Sequence, residues 1–233
     1  MRDRNRDPKP LGSEGTMARI ARILAARNID ATAAPVQDAL EPIAALEAAE
    51  ARIPMRYRSA VADHPQVEAW VRTVASAAVA PSQGARRQVR TGPSLLLIGT
   101  TGTGKTHLAY GGIRALVGAG IGVRWHATTS ADLYAHLRPR PGIDPERELR
   151  ALSRCPLLIL DDLGAAKTSE WTEEITYRLV NHRYNEMLPT LVTTNLAIRD
   201  LRQAVGDRVA SRLAEMTERV VLTGTDRRRG HTA

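Results

Sequence analysis

Ile98-Gly-Thr-Thr-Gly-Thr-Gly-Lys-Thr106 is the stretch on which the reading of this chain turns. Gly99, Gly104, Lys105 and Thr106 fit the phosphate-loop pattern of a glycine, four residues, Gly-Lys and then Ser or Thr, and Gly102 adds a third glycine. The chemistry explains the spelling. Triphosphate oxygens have to be met by several converging backbone N–H groups, so the loop needs residues that accept unusual dihedrals and let the backbone come close. Lys105 supplies a point charge to the outer phosphates, and the Thr106 hydroxyl is placed to help hold Mg²⁺. The candidate nucleotide contacts are therefore Gly99, Thr100, Thr101, Gly102, Thr103, Gly104, Lys105, Thr106 and His107.

Such a loop works only between a buried strand and the N-terminus of a helix, and both flanks read that way. Ser94 to Ile98 holds the unbroken apolar run Leu95-Leu96-Leu97-Ile98, as expected of a central parallel strand covered on both faces. Lys105 to Val117 reads as a helix, with Leu108, Ile113 and Leu116 on one side and Gly118 and Gly120 closing it. A second apolar run, Leu157-Leu-Ile-Leu160, ends in the paired acids Asp161 and Asp162, the form of a Walker B strand. Division of labour explains the pair. Asp161 falls at the strand's carboxyl end near the Mg²⁺, while Asp162 orients or deprotonates the attacking water.

The remaining segments alternate between strand and helix. Asp63 reads as a cap for a helix with Pro65 in its first turn and a stripe of Val67, Trp70, Val71 and Val74. Gly122 to Ala127 reads as a short strand, Ser130 as the cap of a helix to Leu137, and Glu146 to Leu152 as another helix. Residues 171 to 188 form an amphipathic helix with Ile175, Leu179 and Val180 inside and Glu174, Arg178 and Arg183 outside. Pro189 stops it, and Leu191-Val-Thr-Thr-Asn195 is a strand whose polar end lands on the edge where ligands sit in an open α/β sheet. On these grounds alone Asn195 is either an ordinary turn residue or a catalytic one. The alternation from 94 to 222 predicts a three-layer αβα sandwich with a parallel sheet.

The formal charge of +8 favours a polyanionic partner, with solubility as the plain alternative. Aromatic residues make up only 3% and Phe is absent, which argues against a platform that grips single strands by stacking many bases. The cluster Arg86, Arg87 and Arg90 is a DNA contact or a solvated face. No apolar run reaches the length of a membrane span, and the first residues lack a signal-peptide core, so the expected setting is cytoplasmic with no membrane contact. Cys155, the single cysteine, reads as core packing.

Residues 1–16, basic and almost devoid of apolar side chains, read as a disordered leader. Residues 17–52 read as a helical arm that docks on the main domain or on a partner, with Ile20, Ile23 and Leu24 on one face and Leu40, Ile43 and Leu46 at spacing three. Ile53-Pro-Met-Arg-Tyr-Arg58 marks the boundary, and 53–233 is the main domain.

The motif Ile53-Pro-x-Arg-Tyr-Arg, the loop Gly99 to Thr106, Leu-Ile-Leu-Asp-Asp-Leu-Gly164, Arg183-Tyr184 with Pro189-Thr-Leu-Val-Thr-Thr-Asn195, and Gly206-Asp-Arg-Val-Ala-Ser-Arg212-Leu-x-Glu-Met216 occur in this order. With them the chain resembles AAA+ ATPases of the DnaC/IstB group, bacterial and phage helicase loaders and transposition helpers. The resemblance implies a P-loop NTPase with an AAA+ core and a reduced or absent lid, since few residues follow Arg212. It implies ATP and Mg²⁺ as cofactors, with Thr106 and Asp161 on the metal and Asp162 as the catalytic acid. Asn195 looks like the sensor that positions water, with Thr194 a weaker candidate, and Arg212 like an arginine finger acting in a neighbouring subunit, with Arg208 its substitute. The implied function is loading of a DnaB-type replicative helicase with single-stranded DNA bound and self-association through the ATP site. The alternative is an IstB-like helper that binds duplex DNA and recruits a transposase. Asp162 where many relatives carry Glu implies slow hydrolysis. A small-molecule kinase is disfavoured by the finger and the basic charge.

Overall fold

The computed structural model describes residues 51–224. The leader 1–16, nearly all of the arm 17–52, and Arg227 to Arg229 lie outside them. Five parallel strands form one sheet: β1 (Ser94–Gly99), β2 (Trp125–Thr129), β3 (Leu157–Asp161), β4 (Thr190–Thr194) and β5 (Thr217–Leu222), in the order β2-β3-β4-β1-β5. The helices are α1 (Pro65–Ala77), α2 (Lys105–Gly118), α3 (Ser130–Leu137), α4 (Pro145–Ser153), α5 (Glu170–Asn185), α6 (Ile198–Val205) and α7 (Asp207–Met216). The three-layer parallel α/β fold expected from the alternation is the one observed.

Strand alternation divides the core. Leu95, Leu97, Ile159 and Leu191 face the layer of α1 and α2, and Leu96, Ile98, Leu158, Leu160 and Val192 face the layer of α3 to α7. This is why β1 and β3 carry no polar residue inside their runs. Both sheet faces are covered, so both sets of side chains must be apolar. Trp70 of α1 is fully buried with its indole N–H donating to the Pro93 carbonyl at 2.7 Å. Next to it, α2 keeps two glycines mid-helix, and Gly111 has a clear steric reason. A Cβ there would lie 2.3 Å from the Val61 carbonyl carbon, so the linker after Ile53 runs directly on the helix backbone.

Several expectations are shifted. β2 begins at Trp125, because Trp125 is the first residue in register with Leu157 of β3, while Gly122 pairs instead with the segment around Gln88. The cap of α1 is His64, whose Nδ1 accepts the Gln66 N–H at 3.3 Å, and the cap of α3 is Thr129, which takes the Asp132 N–H. α4 is capped by Asp144, accepting from Glu146 and Arg147. Arg86 and Arg87 are structural clamps. Arg86 donates to the Gly120 and Ile121 carbonyls and Arg87 to those of Ala75, Ser76 and Ala78. Cys155 is half-buried, its thiol near the Leu157 carbonyl.

Arg183 is the largest departure. Expected on the wet side of α5, it is 1% exposed. Its Nε donates to Thr190 Oγ1, Nη1 to the Leu152, Ser153 and Cys155 carbonyls, and Nη2 to that of Pro189. Burial pushes the guanidinium pKa down to about 10, which still leaves it charged at neutral pH. The periodicity of α5 could not reveal this, because a guanidinium fork can satisfy itself on carbonyls that only tertiary packing brings together.

Candidate nucleotide-binding site

β1 delivers Gly99 and α2 starts at Lys105, so the loop between them spans the edge where the strands point their carboxyl ends. Gly102 and Gly104 adopt φ of 87° and 95°, the left-handed region that favours glycine. At Gly99 the constraint is space, since a Cβ would meet the Leu222 carbonyl at 2.6 Å and Thr103 Oγ1 at 2.8 Å. The end of β5 is thus the back wall of the loop. Thr103 is buried and its hydroxyl donates to the Thr100 carbonyl at 2.9 Å, which holds the arch closed. Lys105 is also buried, and its Nζ donates to the Gly99 and Thr100 carbonyls at 2.9 Å each. The positive end of the α2 dipole adds to that charge.

Opposite the loop, Asp161 closes β3. Its carboxylate accepts Thr106 Oγ1 at 3.0 and 3.1 Å and Thr193 Oγ1 at 2.6 Å. Burial raises its pKa above the ordinary carboxylate value and the Asp162 charge adds to this, against the hydrogen bonds from Thr193 and Thr106 and the Lys105 charge. A carboxylate disfavoured in this way, beside a hydroxyl, suits a cation. Mg²⁺ takes one or two carboxylates and completes its shell with phosphate and water. Thr106 and Asp161 therefore have the right chemistry for it. Among the described residues there is no cluster of three His, Cys, Asp or Glu that could hold a metal by itself.

Asp162 sits at φ 51°, a left-handed turn that costs a non-glycine residue energy and is held by its neighbours. Its N–H donates to Thr193 Oγ1 at 2.9 Å, its carbonyl accepts Ser130 Oγ at 2.8 Å, and its Oδ1 accepts Asn195 Nδ2 at 3.1 Å. The turn takes Asp162 off the line of β3 and brings it to Asn195. Thr194 is fully buried, with its hydroxyl donating to the Leu163 carbonyl and accepting the Leu196 N–H.

A cavity of about 610 Å³ lies between these groups, lined by Thr101, Gly102, Gly104, Lys105, Thr106, His107, Asp161, Asp162 and Asn195, together with Arg56 and Tyr57. Gly99, Thr100 and Thr103 form the frame behind it. His107 Nε2 accepts the Val61 N–H at 3.2 Å, which ties the linker to the loop. Tyr57 stacks on Tyr110 with ring centroids 5.0 Å apart, and burial, with the Asp161 and Tyr57 charges adding, pushes the Tyr110 phenol up to about 12.

Three contributions escaped the sequence reading. Thr193 bridges the two acids, and the polar end of Leu191 to Asn195 was its only signal. Arg56 and Tyr57 line the cavity although their motif reads as a domain boundary. Arg212 does not line it. On α7 it packs against α5, its Nε donating to Asn181 Oδ1 at 3.3 Å, and Arg208 lies over the Tyr177 ring.

Residues 80–225 match the family described as IstB-like ATP binding protein. The replicative helicase loader DnaC of Escherichia coli (strain K12) is 29% identical over 123 residues, 52% of this chain and 49% of its own length. The insertion sequence IS21 putative ATP-binding protein of Pseudomonas aeruginosa is 32% identical over 117 residues, 50% of this chain and 43% of its own. The chain thus spans about half the length of the curated relatives it matches. A crystal structure of the DnaC helicase loader shares the fold with a TM-score of 0.58 and 28% identity, over 73% of this chain and 100% of that one. The family match runs through the phosphate loop, the acid pair and Asn195, and on that match the chain belongs to the IstB-like ATP-binding proteins, within the DnaC/IstB group of AAA+ P-loop ATPases.

Proposed function

We propose that this protein is an ATP-dependent loader that binds single-stranded DNA, self-associates through its ATP site and delivers a hexameric replicative helicase of the DnaB type in a bacterial cytoplasm. The observation that carries the reading is the contact chain Thr106, Asp161, Thr193, Asp162, Asn195, which joins a metal-holding pair to an oriented second carboxylate in one cavity. Likeness to the DnaC loader structure over the whole of that chain supports the loader, and the +8 charge suits a phosphate backbone.

Bound ATP with Mg²⁺ supplies the γ-phosphate that water attacks. Lys105 and the loop N–H groups balance the charge of the phosphates, and Thr106 with Asp161 holds the metal. Asp162 orients the water or takes its proton, and Asn195 keeps that carboxylate aimed. Arg212, absent from its own cavity, serves the site of the next copy; a finger in trans is worth about 10³ or more in rate, so an isolated subunit turns over slowly. The reach of Asp162, one methylene shorter than Glu, suits slow turnover.

The second reading, a helper that binds duplex DNA and recruits a transposase, is favoured by the family model and by the IS21 relative. Affinity capture from the host, with and without ATP, separates the two. Recovery of a hexameric helicase supports the loader, and recovery of a transposase supports the helper. Lys105→Ala in parallel should lose ATP affinity, and retained affinity would overturn the phosphate-loop assignment.

A further inference from the structure

We propose that Tyr184 and Glu215 are positioning residues that present Arg212 to the nucleotide site of a neighbouring copy. The inference rests on the reading that Arg212 acts in trans.

An arginine that works across a subunit junction must be aimed before the partner arrives, because misplacement by about an ångström costs on the order of 10² in rate. A surface arginine is ordinarily mobile, with many rotamers to lose. Arg212 is restrained on three sides. Its guanidinium carbon lies 4.6 Å from the centroid of the Tyr184 ring, Nε donates to Asn181 Oδ1 at 3.3 Å, and Nη1 lies 3.8 Å from Glu215 Oε1. The restraint closes on itself. The Tyr184 hydroxyl donates to Glu215 Oε2 at 2.6 Å, and Glu215 Oε1 also accepts Ser211 Oγ at 3.2 Å. Tyr184 thus offers Arg212 a ring face while gripping the carboxylate that pairs with it.

The cradle stands on a rigid base. Tyr184 directly follows Arg183, whose buried guanidinium joins the end of α5 to the end of α4, the turn before β3 and the start of β4. Arg208, one turn earlier on α7, shows the contrast. It also lies over a ring, that of Tyr177, but its side chain is 70% exposed against 34% for Arg212, and its ion pair with Glu174 is stretched to 4.0 Å. The exposed pair of Arg212 with Glu215 is weak enough to yield to a multiply charged phosphate, so the cradle aims the finger without withholding it.

Mixed assemblies of the full chain test this with ATP and Mg²⁺. Acceptor copies carry Arg212→Ala and keep an intact nucleotide site; donor copies carry Asp162→Asn and keep Arg212. Hydrolysis restored on mixing then reports the donor's finger. Adding Tyr184→Leu to the donor should lower the restored rate about tenfold with co-assembly unchanged by sedimentation, whereas Tyr184→Phe, which keeps the ring face, should stay within about threefold. An unchanged rate with the Leu donor overturns the proposal, and so does loss of co-assembly, which would make Tyr184 part of the junction itself. Failure of the underlying reading looks different. Acceptor copies would hydrolyse ATP unmixed, or mixing with the unaltered donor would restore nothing.

Discussion

At Asp161 the fold holds a negative charge in a place that disfavours it. The raised pKa means that the folded chain binds the proton more tightly than the unfolded chain does, so the penalty is present above that raised value and disappears as the pH falls below the ordinary carboxylate range. Asp161→Asn keeps an acceptor for Thr106 and Thr193 and removes the charge. It should raise the melting temperature of the nucleotide-free protein at neutral pH while abolishing Mg²⁺-dependent nucleotide binding, and the gain in melting temperature should shrink towards pH 4. A variant no more stable than the parent at pH 7 would show that the site does not strain the carboxylate. The acid pair is plain in the sequence, at the end of an apolar strand. Its strain is not, because strain depends on how deeply β3 is covered and on the hydroxyl that β4 supplies through Thr193.

Two elements gain their meaning from what packs on them. Replacing a mid-helix glycine by alanine ordinarily stabilises a helix by up to about 1 kcal/mol. In α2 the sign should reverse at Gly111, because the new Cβ would collide with the Val61 carbonyl and lift the linker that carries Arg56 and Tyr57 into the cavity. Gly111→Ala is expected to lower both the melting temperature and the nucleotide affinity, whereas a rise in melting temperature would mean that the linker is not seated on the helix. On α5, Arg183→Met would fill a similar volume but take the Arg183 donor from the Ser153 and Cys155 carbonyls, and from those of Leu152 and Pro189, which keep a backbone N–H each. Chemical denaturation should show a loss of roughly 2–4 kcal/mol. A loss below about 0.5 kcal/mol would place Arg183 among ordinary surface substitutions.

Across the molecule, the cavity couples the sheet edge to the chain entering it. Ile53 is buried in the core, Tyr57 stacks on Tyr110, Tyr110 meets Trp125 edge-on at 6.0 Å, and the Arg52 guanidinium lies 4.7 Å over Trp125 while donating to its carbonyl. The fold therefore makes use of Arg52, one residue before the boundary that Ile53 suggests. A chain starting at Ala51 should fold and bind ATP with the parent's affinity yet fail to capture the helicase or transposase proposed as its partner. Retained capture would assign partner binding to the ATPase domain.

Strand and helix alternation, the glycine spacing of the loop and the acids after Leu160 were readable along the chain because each is a local requirement. A strand covered on both faces must be apolar throughout, and a loop that wraps phosphate must be glycine-rich. Asn195 was not readable in this way: a polar residue after a strand is as readily an ordinary turn, and only the family resemblance singled it out. Tertiary structure alone decided that Arg183 is buried, that Thr193 joins the two acids, that Arg56 and Tyr57 wall the cavity, and that Arg212 rests on Tyr184 away from its own site. Each of these brings together residues far apart in sequence, through hydrogen bonds, ring contacts or a shared cavity wall, and such pairings leave no periodic trace in the residues themselves.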